Sequence, residues 1–186
     1  MNNKYSVPRQ IQDKAQNIRL ILLDVDGVLT DGKIYFDSNG IDHKSFYIPD
    51  GAAIRMAMRA GLEIIFISGR RSKDVEKRAQ ELGVTENYKK ITNKSEFLDH
   101  LFKKKNLNKK NIAAVGDDLL DLQVFARASL RIAVNNAASE LKEKADYVTR
   151  KNGGNGAVRE FIDLLLKAMG KWEEVTERYY KDIGRK

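Results

Sequence analysis

Short apolar runs alternate with amphipathic stretches along this chain. IRLILLDV, beginning at Ile18, is apolar at almost every position, as a strand covered on both faces is. EIIFIS and NIAAVGDD repeat that pattern, and LRIAV and DYVT give shorter versions of it. Between these runs the apolar residues space out. Ile54 and Met58, with nearby alanines, predict a short helix that stops at Gly61. Ser72 is placed to cap a helix running to Leu82, with Gly83 as its stop. A short strand is expected near Tyr88. Asn93 and Glu96 have capping-box spacing for a helix through Phe102. Further helices are predicted over Leu119–Ala128, near Ala137–Lys144, and over the strongly apolar Val158–Met169.

One stretch breaks this rhythm. KIYFD and DHKSFYI flank Ser38-Asn39-Gly40, and Asn-Gly between such runs predicts a β-hairpin. The remaining alternation predicts an α/β fold. It is a Rossmann-like, mainly parallel sheet with helices on both faces, carrying the hairpin as an insertion after the first strand. Residues 1–17 are polar without a clear period and read as a helical arm or loose leader. Residues 18–170 form the domain, and 171–186 form a C-terminal helical tail. In that tail Trp172, Val175 and Tyr179 share a helix face, which can pack on this domain or on a partner subunit. Tyr35, Phe36, Phe46 and Tyr47 form a candidate subunit contact through the hairpin, whose edges are otherwise open.

Composition narrows the class. With 186 residues, 42% of them hydrophobic, the chain suits one domain with a real core. Cysteine is absent, which excludes disulfides, cysteine–zinc sites and thiol catalysis and suits a cytoplasmic location. No apolar run approaches the roughly 20 residues of a membrane span, and MNNKYSVPRQIQDK lacks the apolar core of a signal peptide. The net charge of +8 hints at a polyanionic partner. However, KKKNLNKK, from Lys103 to Lys110, holds five positive charges and no negative one, and reads as a solvated face. Nucleic acid is therefore not the expected partner.

The acids carry the chemistry. Ligands of open parallel sheets bind at the carboxyl ends of the strands. Asp24-Val25-Asp26 ends the first predicted strand, and Gly116-Asp117-Asp118 ends a later one, with Asp121 close behind. Both groups fall on one rim. Acids at strand ends can simply cap helices, but so many on one rim repel each other unless a cation sits among them. Oxygen ligands without cysteine suit Mg²⁺. A carboxylate beside Mg²⁺ can attack phosphorus. His43 and His100 have no cysteine partners and read as structural.

At this point the chain resembles the haloacid dehalogenase superfamily of phosphotransferases. Asp24-Val25-Asp26-Gly27-Val28 resembles its first signature and Ser68 in Ile-Ser-Gly-Arg its second. Lys94, at a helix start, resembles the third, and Gly116-Asp117-Asp118-x-x-Asp121 the fourth. The resemblance implies Asp24 as nucleophile and Asp26 as general acid and base. Ser68 and Lys94 would contact the phosphoryl group. Mg²⁺ would be held by Asp24, the Asp26 carbonyl and Asp117, with Asp118 and Asp121 as further ligands or orienters. The chain leaves no room for the cap domain that many members insert, so the lid would come from a neighbouring subunit.

A narrower resemblance runs from about Ile18 to Gly170. It rests on DVDGVLTDGKIYFDSNG, Lys44-x-Phe46, Asp50-Gly51, Ile54-Arg55, Gly69-Arg70 and Val75-x-x-Arg78. It ends on Ala145-Asp146-Tyr147-Val148-Thr149 and Gly153-Gly154-x-Gly156-Ala157-Val158-Arg159-Glu160. These segments resemble the 3-deoxy-D-manno-octulosonate 8-phosphate phosphatases of lipopolysaccharide sugar synthesis. The resemblance implies a capless homotetramer acting on a small phosphosugar acid. Tyr47, Ile48, Pro49, Asp50, Gly51, Arg55, Arg70, Arg78 and Lys94, with Asp26, would line the substrate pocket. Arg70 and Arg78, eight apart on one predicted helix, can share a face. The chain departs from that family at Pro49 and Asn155, where arginine is usual. The Gly153–Gly156 loop keeps backbone N–H groups to offer an anion. Other readings are a sialic-acid-type 9-phosphate phosphatase, a polynucleotide phosphatase, or a catalytically silent assembly module. A response-regulator receiver fits the length and motif order less well.

Overall fold

The computed structural model describes residues 7–91 and 93–181. Residues 1–6 of the expected arm and 182–186 of the expected tail lie outside the described residues. The elements are α1 (Arg9–Ala15), β1 (Leu20–Asp24), β2 (Tyr35–Phe36), β3 (Asp42–His43), α2 (Ile48–Arg59), β4 (Glu63–Ile67), α3 (Lys73–Leu82) and β5 (Glu86–Tyr88). They continue with α4 (Lys94–Lys105), β6 (Ile112–Gly116), α5 (Leu122–Phe125), β7 (Leu130–Ala133), α6 (Ser139–Lys144), β8 (Tyr147–Val148), α7 (Ala157–Ala168) and α8 (Trp172–Thr176).

Six strands form one parallel sheet in the order β5-β4-β1-β6-β7-β8. The central strands β1 and β6 are apolar along almost their whole length because both faces are covered. The chain runs outward from β1 through β4 to β5, then crosses back to β6 on the other side of β1. Right-handed crossovers place α2 and α3 on one face and α4, α5 and α6 on the other. Helix α7 returns to pack on α2 and α1. The reversal between β1 and β6 opens a crevice at their carboxyl ends, which is where this architecture takes its ligands.

Several local expectations need correction. The hairpin pairs only Tyr35 with His43 and Phe36 with Asp42, so its strands are far shorter than the apolar runs implied. Ser72 occupies the N-cap of α3 without capping it, and its buried hydroxyl has no hydrogen-bond partner. Asn93 does accept the Glu96 N–H at 3.1 Å, but the Glu96 carboxylate takes the Asn93 side-chain amide rather than its backbone, so only half the box forms. The helix expected over Leu119–Ala128 is a tight 3₁₀ turn at Leu119–Asp121 followed by the short α5. Of the lysine run, Lys105 is not a free solvated charge: it is ion-paired to Glu63 of β4 and Glu86 of β5.

The arm supplies α1, whose Ile11 and Ala15 are fully buried against the domain. In the tail Val175 is buried and Trp172 half-buried against this same core, while Tyr179 is exposed and accepts a hydrogen bond from Arg59 at 2.9 Å. Among the described residues no helix is long and apolar enough to cross a membrane.

Candidate active site

The strand ends converge as the rim argument requires. Asp24 closes β1 and Asp26 lies two residues beyond; Ser68 follows β4, Lys94 opens α4, and Asp117 follows β6. Lys94 is 5% exposed, and its ammonium lies 2.7 Å from Asp24 Oδ1 and 2.7 Å from Asp121 Oδ1. Ser68 Oγ lies 3.4 Å from Asp26 Oδ2 and accepts the Arg70 N–H at 3.0 Å, which leaves its own hydrogen for Asp26. A cavity of about 450 Å³ opens over Asp24, Asp26, Arg70, Lys94, Asp117, Asp118 and Asp121, with Ile91 and Leu120 as apolar wall.

Asp24, Asp117 and Asp121 each offer a carboxylate oxygen within 4.8 Å of the others. Burial, reinforced by the Asp121 charge and opposed by Lys94, pushes Asp24 up to about 8. Burial and the neighbouring charges of Asp121 and Asp118 push Asp117 up to about 7. Burial works to lower the Lys94 pKa, but Asp24 and Asp121 outweigh it and hold the ammonium above its ordinary range. One lysine therefore does not neutralise the cluster. An all-oxygen donor set short of positive charge fits a hard divalent cation such as Mg²⁺.

The acids have different tasks. Asp121 is 2% exposed; its Oδ1 faces Lys94 while its Oδ2 accepts the Asp117 N–H at 3.0 Å and the Asp118 N–H at 3.4 Å. It orients the loop that carries Asp117. Asp118 is exposed and accepts the Leu119 N–H at 2.7 Å, as a cap for the turn. Gly27 makes the approach of the two loops possible. Its φ is +92°, and a Cβ there would stand 1.9 Å from Asp117 Oδ2. Gly27→Ala is expected to lower the unfolding free energy by about 2 kcal/mol from strain and collision together. A urea midpoint equal to that of the parent chain would show that the loops have room to spare.

The other expected pocket residues are scattered. Arg70 lines the cavity, but it precedes α3 rather than lying on it, so it shares no helix face with Arg78; its guanidinium donates to Asp42 at 3.1 Å. Arg55 and Arg78 converge instead on Glu81: Arg55 donates to its carbonyl at 2.5 Å and Arg78 to its carboxylate at 2.9 Å. Gly51 has no side chain because Arg78 crosses it; a Cβ there would lie 2.2 Å from Arg78 Nη2. Asp50 is buried and accepts the backbone N–H groups of Arg159 at 2.7 Å and Gly156 at 3.3 Å, so it caps α7. Burial pushes it up to about 6 against those two bonds. Tyr47 and Pro49 face a separate hollow beside Arg150 and Arg159, and Ile48 is 76% exposed.

The glycine loop does not offer N–H groups to an anion. Gly153 donates to Asn136 at 2.8 Å, Gly154 to the Val28 carbonyl at 2.9 Å, Asn155 to the Asn152 carbonyl at 3.1 Å, and Gly156 to Asp50. Its glycines serve close packing instead: a Cβ on Gly153 would meet the Gly27 carbonyl at 1.6 Å. His43 lies within 3.3 Å of Asp74 and 3.5 Å of Asp37, a bridge between hairpin and α3 rather than a metal ligand. One site residue escaped the sequence reading. Lys44, carried by the hairpin, places its ammonium on Asp26 Oδ1. Its place in the Lys44-x-Phe46 segment was the available signal.

Asp24, Asp26, Ser68, Lys94 and Asp117 meet on the switch-point rim in the arrangement of a haloacid dehalogenase-like hydrolase. The profile of the haloacid dehalogenase-like hydrolases matches residues 85–162. The 3-deoxy-D-manno-octulosonate 8-phosphate phosphatase KdsC of Escherichia coli (strain B / BL21-DE3) is 46% identical over 168 residues, which is 90% of this chain and 89% of that one. A crystal structure of a probable YrbI family phosphatase from Pseudomonas syringae superposes with a TM-score of 0.90 at 40% identity, covering 94% of this chain and 99% of that one. A second, the 3-deoxy-D-manno-octulosonate 8-phosphate phosphatase from Moraxella catarrhalis, was solved with magnesium, phosphate and KDO. It superposes at 0.88 with 37% identity, covering 92% of this chain and 98% of that one. The chain belongs to the 3-deoxy-D-manno-octulosonate 8-phosphate phosphatase family of the haloacid dehalogenase-like hydrolases.

Proposed function

We propose that this chain hydrolyses the phosphomonoester of 3-deoxy-D-manno-octulosonate 8-phosphate in lipopolysaccharide sugar synthesis. The observation that carries this reading is the rim itself. The family's four signature positions, met in order along the chain, stand around one cavity, in a chain 46% identical to a phosphatase for that ester.

The Asp24 carboxylate attacks phosphorus. As its oxygen bonds to phosphorus, the ester P–O bond breaks and the electron pair leaves with the sugar oxygen, which takes the Asp26 proton. Asp26, now a carboxylate, removes a proton from water as that water attacks the aspartyl-phosphate. Inorganic phosphate leaves, and both acids return to their starting state. Lys94 and Ser68 bind oxygens of the transferring group, where charge builds. Asp24, Asp117 and the Asp26 carbonyl would hold Mg²⁺, which offsets the repulsion between the carboxylates and the phosphate. Asp121 holds the Asp117 loop in place.

Among the described residues Arg70 is the arginine that lines the cavity within one chain. Tyr47, Ile48, Pro49, Gly51, Arg55 and Arg78 contribute only if another copy brings them to the cavity. The hairpin supports such an assembly. Ile34, Tyr35, Phe36 and Ile41 are all exposed on it, Phe36 at 69%, an apolar surface that suits hairpin-to-hairpin packing in a cytoplasmic homotetramer. Phe36→Asp is expected to shift the species seen by light scattering toward smaller assemblies and to weaken substrate binding. An unchanged mass would remove the hairpin from the interface. For the substrate, a panel measures phosphate release from the 8-phosphate, a sialic-acid-type 9-phosphate, simple phosphosugars and a nucleotide. The expected order puts the 8-phosphate first. A preferred 9-phosphate would tie the substitutions Pro49 and Asn155 to a changed sugar acid.

A further inference from the structure

Lys44 is an unusual lysine. Its side chain is 3% exposed, and its one charged partner among the described residues is Asp26. Burying an ammonium is unfavourable unless a charge and good hydrogen bonds answer it. The chain goes to some length to place it there. The Asp74 carboxylate, on the first turn of α3, accepts the Lys44 backbone N–H at 2.9 Å and meets His43 at 3.3 Å. Arg70 holds Asp42 at 3.1 Å. Residues 42, 43 and 44 are thus fastened in succession, to Arg70, to Asp74 and to Asp74 with Asp26, while the tip of the same hairpin is exposed. Asp26 receives Lys44 on Oδ1 and faces Ser68 with Oδ2. Its carboxylate is gripped from two elements, one of them the hairpin.

We infer that Lys44 is a positioning residue for Asp26: seated by the hairpin, its ammonium orients the carboxyl group and answers the carboxylate that forms as the Asp26 proton passes to the leaving oxygen. The inference rests on the proton-transfer role of Asp26 given above. It makes a seated hairpin part of the chemical machinery as well as of the surface.

The test compares leaving groups. An alkyl phosphate needs a proton on its departing oxygen, whereas p-nitrophenyl phosphate loses a stable phenolate without one. The ratio of kcat/KM for the two substrates reads only the steps up to departure of the alcohol. Measured on one preparation, that ratio does not depend on the fraction folded. Lys44→Met is expected to lower the alkyl value at least ~10-fold more than the aryl value. Asp26→Ala should shift the ratio in the same direction and further. In the Asp26→Ala background, adding Lys44→Met should move the ratio no more. Equal losses on both substrates in Lys44→Met, beside a shifted ratio in Asp26→Ala, would overturn the inference and leave the Asp26 reading standing. An unshifted ratio in Asp26→Ala would overturn that reading and the inference with it. A further shift in the double variant would show that Lys44 acts on the substrate directly and not through Asp26.

Discussion

Asn in place of Asp24 is expected to abolish phosphate release while leaving the fold intact. An amide of the same shape cannot form the aspartyl-phosphate, so the loss should exceed about 10⁴-fold in kcat. Folding should not suffer. Asp24 is half-buried beside Asp121, and its carboxyl group resists ionisation up to about 8. A neutral amide removes that repulsion and still offers an oxygen to Lys94, now 2.7 Å from Asp24 Oδ1. The variant should therefore melt at or above the temperature of the parent chain. The decisive measurement is phosphate release at saturating magnesium, together with a thermal melt. Parent-level turnover in a folded Asp24→Asn protein would reject the covalent mechanism.

Stripping the divalent cation should stop turnover and also make stability fall as pH rises. In the unfolded chain Asp24 and Asp117 lose their protons near 3.8; in the folded chain they keep them to about 8 and about 7. Groups whose folded values are raised support the fold below their unfolded values, and that support is lost as pH climbs through the folded ones. The window is thus about pH 4 to 8. A rise of the Asp24 size amounts to on the order of 5 kcal/mol. The Asp117 share does not simply add to it, because the acids repel one another. Magnesium binds the deprotonated acids, so its stabilisation should grow over the same window. Urea unfolding at pH 5 and pH 8, with chelator and with magnesium, measures both effects. Chelated protein equally stable at the two pH values would mean that the cluster is less strained than its geometry implies.

Much of this site was readable before folding. A continuously apolar run ending in Asp24-Val25-Asp26, and a second ending in Gly116-Asp117, place three acids at one rim from the sequence itself. Buried parallel strands leave their first polar residues at the rim. Lys94 was readable for a related reason: a helix start after the β5 strand points at the same rim. The hairpin was readable from Asn-Gly, but not its extent. Its apolar residues look like strand formers, but Ile34, Tyr35, Phe36 and Ile41 stand exposed, and only Tyr35–Phe36 and Asp42–His43 pair.

The sequence by itself determined the order of strands and helices, the acidic rim and the class of chemistry. The first two follow from local periodicity and from which residues end a buried strand, and the class of chemistry from the resemblance of four motifs in order. Only the tertiary structure decided what long-range contacts decide. Asp50 turned out to hold the N-terminus of α7, 109 residues further on at Arg159, and Arg55 and Arg78 turned to Glu81. The glycine loop proved to have its N–H groups bonded within the protein. Lys44 reached Asp26 across 18 residues and a whole hairpin. A motif states which residue types are present at a rim. Which of them meet is settled by how the loops above that rim pack, through backbone approaches as close as Gly27 to Asp117, and no local pattern encodes those distances.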